Sequence, residues 1–274
     1  MLIHATVLDH KHHSVQNLPE SDFAVYENGV RQHLEYFADE DAPVSVGILI
    51  DNSGSMRDKR PEVNEAALNF VRASNRDDEV FVVNFNDEYY LDAPFTNSIS
   101  KLQDGLQQIE SRGGTALYDA IIASLDYLNH KARNDKRVLL VVTDGDDNAS
   151  RYTLEQTLRL VQAGNPPLIY CIGLRDSDDT RSMRKEAERT LKALGDATGG
   201  NAFFPKNLSQ VNEITRDVAQ SIRSQYTLAY HSNQSGPGYR TIRVEVKDPK
   251  LKHLEVRTRG GYYESAAAAA QNTP

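Results

Sequence analysis

The middle of the chain alternates short apolar runs with amphipathic helical stretches, and this alternation limits its fold more than any other feature. Parallel strands must be joined by crossover connections, usually helices, so the alternation is typical of a parallel sheet covered by helices. The apolar runs are nearly continuous in Val, Ile and Leu, as in strands buried on both faces. They lie at 44–50, 80–85, 138–143 and 168–174. We therefore expect a doubly wound, mostly parallel α/β domain over residues 43–225.

Six helical patterns separate or follow these runs. They lie at 61–74, 99–109, 117–128, 153–163, 183–197 and 208–226. Pro61 suits the first turn of a helix, and Gly199-Gly200 suits a helix end. The last pattern places Val211, Ile214, Val218 and Ile222 on one face, which is the arrangement that core packing requires.

The two ends of the chain have a strand-like pattern instead. Alternating runs lie at 3–8, 23–26, 33–37, 226–230, 241–246 and 254–257, with polar turns such as 27–29 and 248–249 between them. Three strands at either end are too few to be stable alone. We therefore expect residues 1–42 and 226–265 to meet in one small β-domain. Residues 266–274, five alanines and Gln-Asn-Thr-Pro, are predicted to form a flexible tail.

Composition argues against several classes of protein. The 274 residues carry a formal charge of −8, whereas nucleic-acid binding depends on clustered Lys and Arg. The longest apolar runs have the length of strands, so we expect no membrane span, and no apolar signal segment follows Met1. The single cysteine, Cys171, lies within an apolar run and is predicted to be a core residue rather than a nucleophile.

Polar side chains follow the first buried run in the order Asp51-Asn52-Ser53-Gly54-Ser55. Open α/β sheets bind ligands beyond the carboxyl ends of their strands. Residues two apart in an extended backbone project to the same side, so Asp51, Ser53 and Ser55 can direct three oxygen-bearing side chains to one point. Such oxygens suit Mg²⁺, Mn²⁺ or Ca²⁺ and suit zinc or copper poorly.

Two further loops can complete a metal site. Thr115 follows Gly113-Gly114 at the start of a predicted helix, and Asp144 follows the buried run at 138–143. Any one of these side chains could instead cap a helix, and Thr115 could do both. Five positions in order favour a divalent-metal site. Its predicted ligands are Asp51, Ser53, Ser55, Thr115 and Asp144.

With these five positions the chain resembles a von Willebrand factor type A domain that has an intact metal-ion-dependent adhesion site. The resemblance covers about residues 43–225 and implies a Rossmann-like sheet. It also implies that the metal ion captures an Asp or Glu of a protein partner. The segments 23–29 and 260–263 are similar to bacterial von Willebrand factor A-related proteins with β-rich flanks, which implies an extracytoplasmic or secreted location.

The leading interpretation is a metal-dependent protein-binding module without catalytic residues. Two carboxylates roughly neutralise a divalent ion and leave it electrophilic, so that a carboxylate of the partner can complete its shell. Two alternatives stay open: a scaffold subunit that assembles through its β-domain and has an incidental metal site, and a metal-dependent hydrolase. The hydrolase has less support because Ser53 stands where a second acid is needed, and phosphate-loop and nucleophile-elbow motifs are missing from the sequence.

Other polar clusters are interpreted as solvated surface. The turn with Asp9, His10, His12 and His13 lacks a second half for a zinc site. Two sets of loop acids follow predicted strands. They are Asp146 and Asp147, and Asp176, Asp178 and Asp179. Tyr89 and Tyr90 are predicted to lie in an antiparallel edge strand.

Overall fold

The computed structural model of the protein describes residues 1–11, 13–39, 41–107, 111–145, 147–175, 180–247 and 253–264. Three predicted features lie outside these residues: the helix end at 108–109, the turn at 248–249 and the tail at 266–274. Among the described residues, no helix is both long enough and apolar enough to cross a membrane.

The described residues form fourteen strands and six α-helices. The strands are β1 (Leu2–Leu8), β2 (Phe23–Glu27), β3 (Val30–Gln32), β4 (Tyr36–Ala38), β5 (Val44–Asp51), β6 (Glu79–Phe85), β7 (Tyr89–Thr96), β8 (Lys136–Thr143), β9 (Leu168–Gly173), β10 (Asn201–Phe203), β11 (Tyr226–Ala229), β12 (Gly238–Val246), β13 (Glu255–Arg257) and β14 (Gly261–Glu264). The helices are α1 (Arg60–Arg72), α2 (Ile99–Gln107), α3 (Leu117–Lys131), α4 (Leu154–Val161), α5 (Arg181–Thr198) and α6 (Val211–Arg223).

The central sheet has the strand order β10-β9-β8-β5-β6-β7, and only the edge strand β7 runs antiparallel. Alternate residues of β5 face opposite sides, where Ile48 packs with α1, α2 and α6, and Leu49 packs with α3 and α5. This arrangement confirms the predicted mostly parallel sheet flanked by helices. Strand β7 contains Tyr89 and Tyr90, as expected, whereas β10 has only three residues and was not predicted.

The two ends of the chain pair strand by strand. One four-stranded sheet has the order β13-β1-β11-β4, and the other has the order β14-β12-β2-β3. Leu2 lies opposite Ala229, and Phe23 lies opposite Val246. Side chains from both sheets share one hydrophobic core. The ends therefore form the small antiparallel β part expected from the sequence, while the boundaries at 42/43 and 225/226 stay a prediction.

Two sequence predictions are wrong in detail. The pattern at 208–226 is a 3₁₀ turn at Leu208–Gln210, then α6, and Tyr226 already belongs to β11. The Tyr226 ring is fully buried among aromatic side chains of the β part, which holds this residue in the strand. Strand β3 was also missed, because a tight turn with positive φ at Asn28 and Gly29 folds only three residues back on β2.

Candidate metal centre

Asp51 is the last residue of β5, and its carboxylate is held in place on both oxygens. Its Oδ1 accepts the Ser53 backbone N–H at 2.8 Å, and its Oδ2 accepts the Thr143 hydroxyl at 2.5 Å. Burial raises the pKa of this carboxyl to about 6, although the hydrogen bonds from Thr143 and Ser53 oppose the shift. A carboxylate in such surroundings gains stability from a nearby cation.

The side chains of Ser53, Ser55 and Asp144 form a continuous chain of oxygen atoms. The two serine Oγ atoms are 3.1 Å apart, and the Ser55 hydroxyl donates to Asp144 Oδ1 at 2.9 Å. Asp144 directly follows β8, which lies beside β5, so parallel strand ends bring the two loops to the same edge. The structure thus brings together four of the five predicted positions: Asp51 through the Ser53 backbone, and the other three through their side chains.

Thr115 lies on the adjoining loop and is nearly buried. Its Oγ1 is 3.7 Å from the position that a β-carbon on Gly145 would take, so it borders the residue after Asp144. In the described part of the chain, its hydroxyl makes no hydrogen bond to the other four predicted ligands.

The capping alternative is wrong for the three hydroxyl residues. Helix α3 begins after Ala116, and Ser53 precedes a 3₁₀ turn without a side-chain cap bond. The first turn of α3 is capped from another loop, because Tyr118 N–H donates to Asp147 Oδ2 and Asp119 N–H donates to Ser150 Oγ, both at 3.0 Å. Asp147 is therefore a structural capping residue, not the solvated acid that the sequence suggested.

The chemistry of the donor set fits a divalent cation. Two carboxylates and three hydroxyls are hard oxygen donors, which Mg²⁺, Mn²⁺ and Ca²⁺ accept. Among the described residues, no three or more His, Cys, Asp and Glu side chains cluster as a metal site. That result is compatible with the five residues, because only Asp51 and Asp144 belong to those types. The other three donors would be serine and threonine hydroxyls.

Residues 46–146 match the family model of the von Willebrand factor type A domain. This segment is therefore similar to a von Willebrand factor type A domain, and we call it the A domain below. The matched segment includes all five predicted ligands, from Asp51 to Asp144. No curated protein is significantly similar to the chain in sequence.

Solved structures share the fold of this A domain. A von Willebrand factor type A protein from Catenulispora acidiphila is 17% identical, with a TM-score of 0.56 over 91% of this chain and 75% of that chain. The vWF domain of the type V pili tip protein Mfa5 from Porphyromonas gingivalis is 11% identical, with a TM-score of 0.52 over 66% and 95%. Proximal thread matrix protein 1 from the mussel byssus, with a zinc-occupied MIDAS motif, is 15% identical, with a TM-score of 0.55 over 72% and 50%.

Several residues that shape the A-domain site were missed in the sequence. Asp87 Oδ1 accepts the Gly114 N–H at 2.8 Å, and Asn148 Oδ1 accepts the Thr115 N–H at 2.9 Å. A β-carbon on Gly113, where φ is +76°, would lie 2.0 Å from Asp87 Oδ2, so only glycine fits there. These two hydrogen bonds link residues that are 27 and 33 positions apart, so no local sequence pattern predicts them.

Lys59 was also missed in the sequence. It immediately precedes α1, and its ammonium group forms an ion pair with Asp144 Oδ2. The lysine side chain is 13% exposed and the aspartate side chain 1% exposed. A cation therefore already contacts one of the two predicted carboxylate ligands.

The remaining polar clusters of the chain are less suited to a metal. Asp9 Oδ1 accepts the backbone N–H groups of Lys11 and His13, which is the behaviour of a turn-forming aspartate. Cys171 is fully buried, as predicted, and burial raises the pKa of its thiol. Five further residues of these clusters lie outside the described part of the chain. They are His12, Asp146, Asp176, Asp178 and Asp179.

Proposed function

We propose that the A domain is a metal-dependent protein-interaction module. Asp51, Ser53, Ser55, Thr115 and Asp144 would hold a divalent cation, Mg²⁺ or alternatively Mn²⁺ or Ca²⁺. An ion with only two anionic ligands remains electrophilic and would accept a carboxylate from an Asp or Glu of the partner. The observation that carries the proposal is the chain of contacts from Thr143 through Asp51 and Ser53 to Ser55 and Asp144.

The placement of the five residues supports reversible binding. Asp51 and Asp144 are buried, whereas Ser55 is exposed at the rim of the sheet. Buried carboxylates can anchor an ion, while an exposed hydroxyl leaves one side of the site open to a partner. A site that only stabilised the fold would be expected to close around its ion.

The comparisons support an interaction module in a general way. The structural neighbours include a pilus tip protein and a byssus matrix protein, and the latter has a metal in its own adhesion motif. An extracytoplasmic location of this chain is part of the proposal for the same reason.

Metal titration tests the site directly. The EDTA-treated full chain is titrated with Mg²⁺ and Mn²⁺ by isothermal calorimetry, beside Asp51→Asn, Asp144→Asn and the control Asp126→Asn, whose side chain is 75% exposed. We expect one ion per wild-type chain, loss of binding in the first two variants and no change in the control. Unchanged affinity in a folded Asp51→Asn protein would contradict the proposed ligands.

Partner capture tests the role of the metal. Immobilised protein is exposed to an extract of its native source with Mg²⁺, and bound material is eluted with EDTA. We expect a protein that the Asp51→Asn variant fails to retain. Equal capture in EDTA would favour the alternative in which the β part assembles a scaffold and the metal is incidental.

A further inference from the structure

Lys59 lies at an electrostatically unfavourable end of a helix, where it contacts a predicted metal ligand. The lysine is the N-cap residue of α1, and Arg60 follows as the first residue of the helix. The N-terminus of a helix carries partial positive charge, so cations are disfavoured there. The carboxylate of Asp144 compensates the Lys59 ammonium, because the two groups are in direct contact.

Asp144 uses both of its oxygens in this arrangement. Oδ1 accepts the Ser55 hydroxyl at 2.9 Å, and Oδ2 contacts the Lys59 ammonium. A divalent ion bound to Asp144 would therefore lie close to a second positive charge of the chain itself. Two cations on one carboxylate repel each other strongly when little water lies between them.

We propose that Lys59 is a built-in competitor of the divalent cation at Asp144. This inference rests on the proposed metal site. In the metal-free protein the ammonium neutralises Asp144 and keeps the loop in a binding-ready conformation. Lys59 must leave Asp144 before the ion is bound there, so the wild-type affinity is lower than the donor set alone would provide.

The lysine side chain is suited to such an exchange. A lysine ammonium is a compact point charge on a flexible four-carbon stem, unlike the planar fork of arginine. The Lys59 side chain is 13% exposed, so it borders the solvent into which the ammonium would move. This competition would keep the site responsive to metal concentration, because the ion pair stabilises the metal-free state and thereby lowers the metal affinity.

Substitution of Lys59 separates competition from a purely structural ion pair. Lys59→Met keeps the stem and removes the charge, and Lys59→Gln also keeps a hydrogen-bond donor for Asp144. Arg57→Met is the matched control, because Arg57 lies in the same loop and its guanidinium contacts the Ser111 carbonyl oxygen. The full chain of each variant is titrated with Mg²⁺ and Mn²⁺ by calorimetry, and melting is followed by circular dichroism in EDTA and in saturating Mg²⁺.

We expect both Lys59 variants to bind metal at least about tenfold more tightly than wild type. Their melting temperature in EDTA should be lower than that of wild type, and Mg²⁺ should raise it by more. The metal affinity and melting temperature of Arg57→Met should stay close to those of wild type. Equal or weaker metal binding by folded Lys59 variants, with a wild type that binds, would overturn the competitor role alone. If neither wild type nor variants bind metal, the proposed function fails and the competitor role fails with it.

Discussion

The β part formed by the two ends of the chain and the A domain each bury carboxylates, but the hydrogen-bond donors around these carboxylates differ. Glu27 in β2 is fully buried in the β part. Its Oε1 accepts the Ser232 hydroxyl at 2.5 Å and Arg240 Nη1 at 3.3 Å, and its Oε2 accepts the hydroxyls of Tyr230 at 2.5 Å and Tyr262 at 3.2 Å. Each oxygen has two donors from the chain, so we call this network closed: its carboxylate already has all of its partners.

In the candidate metal centre, the Asp144 carboxylate has partners that can be exchanged. Asp144 is bound by one hydroxyl from an exposed residue, Ser55, and by one ammonium on a flexible stem. Three of the four donors to Glu27, in contrast, are the buried side chains of Tyr230, Arg240 and Tyr262. A buried ionic group is structural when all its donors are rigid, and it can serve a ligand when some donors can leave.

The largest expected effect comes from breaking the closed network. Glu27→Ala leaves three hydroxyls without their carboxylate and, among the described residues, leaves Arg240 only the carboxylate of Glu264, whose Oε2 is 3.7 Å from Arg240 Nη1. We expect the free energy of unfolding to fall by about 3–5 kcal/mol. Urea denaturation measures the loss. The control Glu155→Ala removes an exposed pair with Arg159 and should cost only about 0.3–0.5 kcal/mol.

The paired variant Glu27→Leu with Arg240→Met tests the cause of this loss. If unpaired charge is responsible, the double variant should regain part of the stability lost in Glu27→Leu alone. Additive losses would show that the network is not the unit proposed. Metal affinity should be unchanged in all of these variants, because the network contains no residue of the metal centre.

An intermediate effect is expected where the metal centre depends on a rigid partner. Thr143→Val removes the hydroxyl that binds Asp51 Oδ2, and loss of such an outer hydrogen bond should weaken metal affinity about 10- to 100-fold. Calorimetric titration with Mn²⁺ measures the change. Thr157→Val, which removes a buried hydroxyl in α4, is the control and should leave metal affinity unchanged. Equal affinity in both variants would make Thr143 dispensable for orienting Asp51.

The smallest expected effect is a difference in acid sensitivity between the two regions. In β1, burial with Lys136 and Arg259 nearby lowers the pKa of His4 from 6.5 to about 3, and its Nε2 is a buried atom without a partner among the described residues. The unfolded chain therefore takes up the proton first. The stability contributed by neutral His4 is complete above pH 6.5 and is lost as pH falls toward 3, by about 2 kcal/mol at pH 5.

His4→Gln removes this titration and should flatten the pH dependence of the free energy of unfolding between pH 6.5 and 5. Urea denaturation at several pH values measures it, with the exposed His231→Gln as the control. An unchanged slope in His4→Gln would assign the acid sensitivity to another group.

Strength of local pattern decided which elements could be predicted. Strands β5, β6, β8 and β9 begin and end within two residues of their apolar runs, because strands buried on both faces leave a continuous signal. Strands β4 and β13, with three residues each, overlap the predicted runs at 33–37 and 254–257, whereas β3, β10 and β14, with three or four residues, coincide with no predicted run. They form because neighbouring strands supply their hydrogen-bond partners.

The five proposed metal ligands could be named from the sequence, because it shows the spacing of Asp51, Ser53 and Ser55, the helix start at Thr115 and the strand end at Asp144. The partners of those ligands could not. Thr143, which binds Asp51, was predicted only as the end of a strand, and Lys59, which binds Asp144, was not singled out in the sequence. Their roles arise when parallel strands bring the ends of β5 and β8 side by side.

Periodicity and residue type are local, and they were enough to predict the class of the fold, the strands buried on both faces and the oxygen chemistry at the end of β5. Which buried carboxylate has a closed set of donors and which has exchangeable ones became visible only in the folded structure. That distinction depends on donors more than 80 residues away in the chain, such as the donors from Lys59 to Asp144 and from Tyr230 to Glu27, and on how rigidly packing holds each of them.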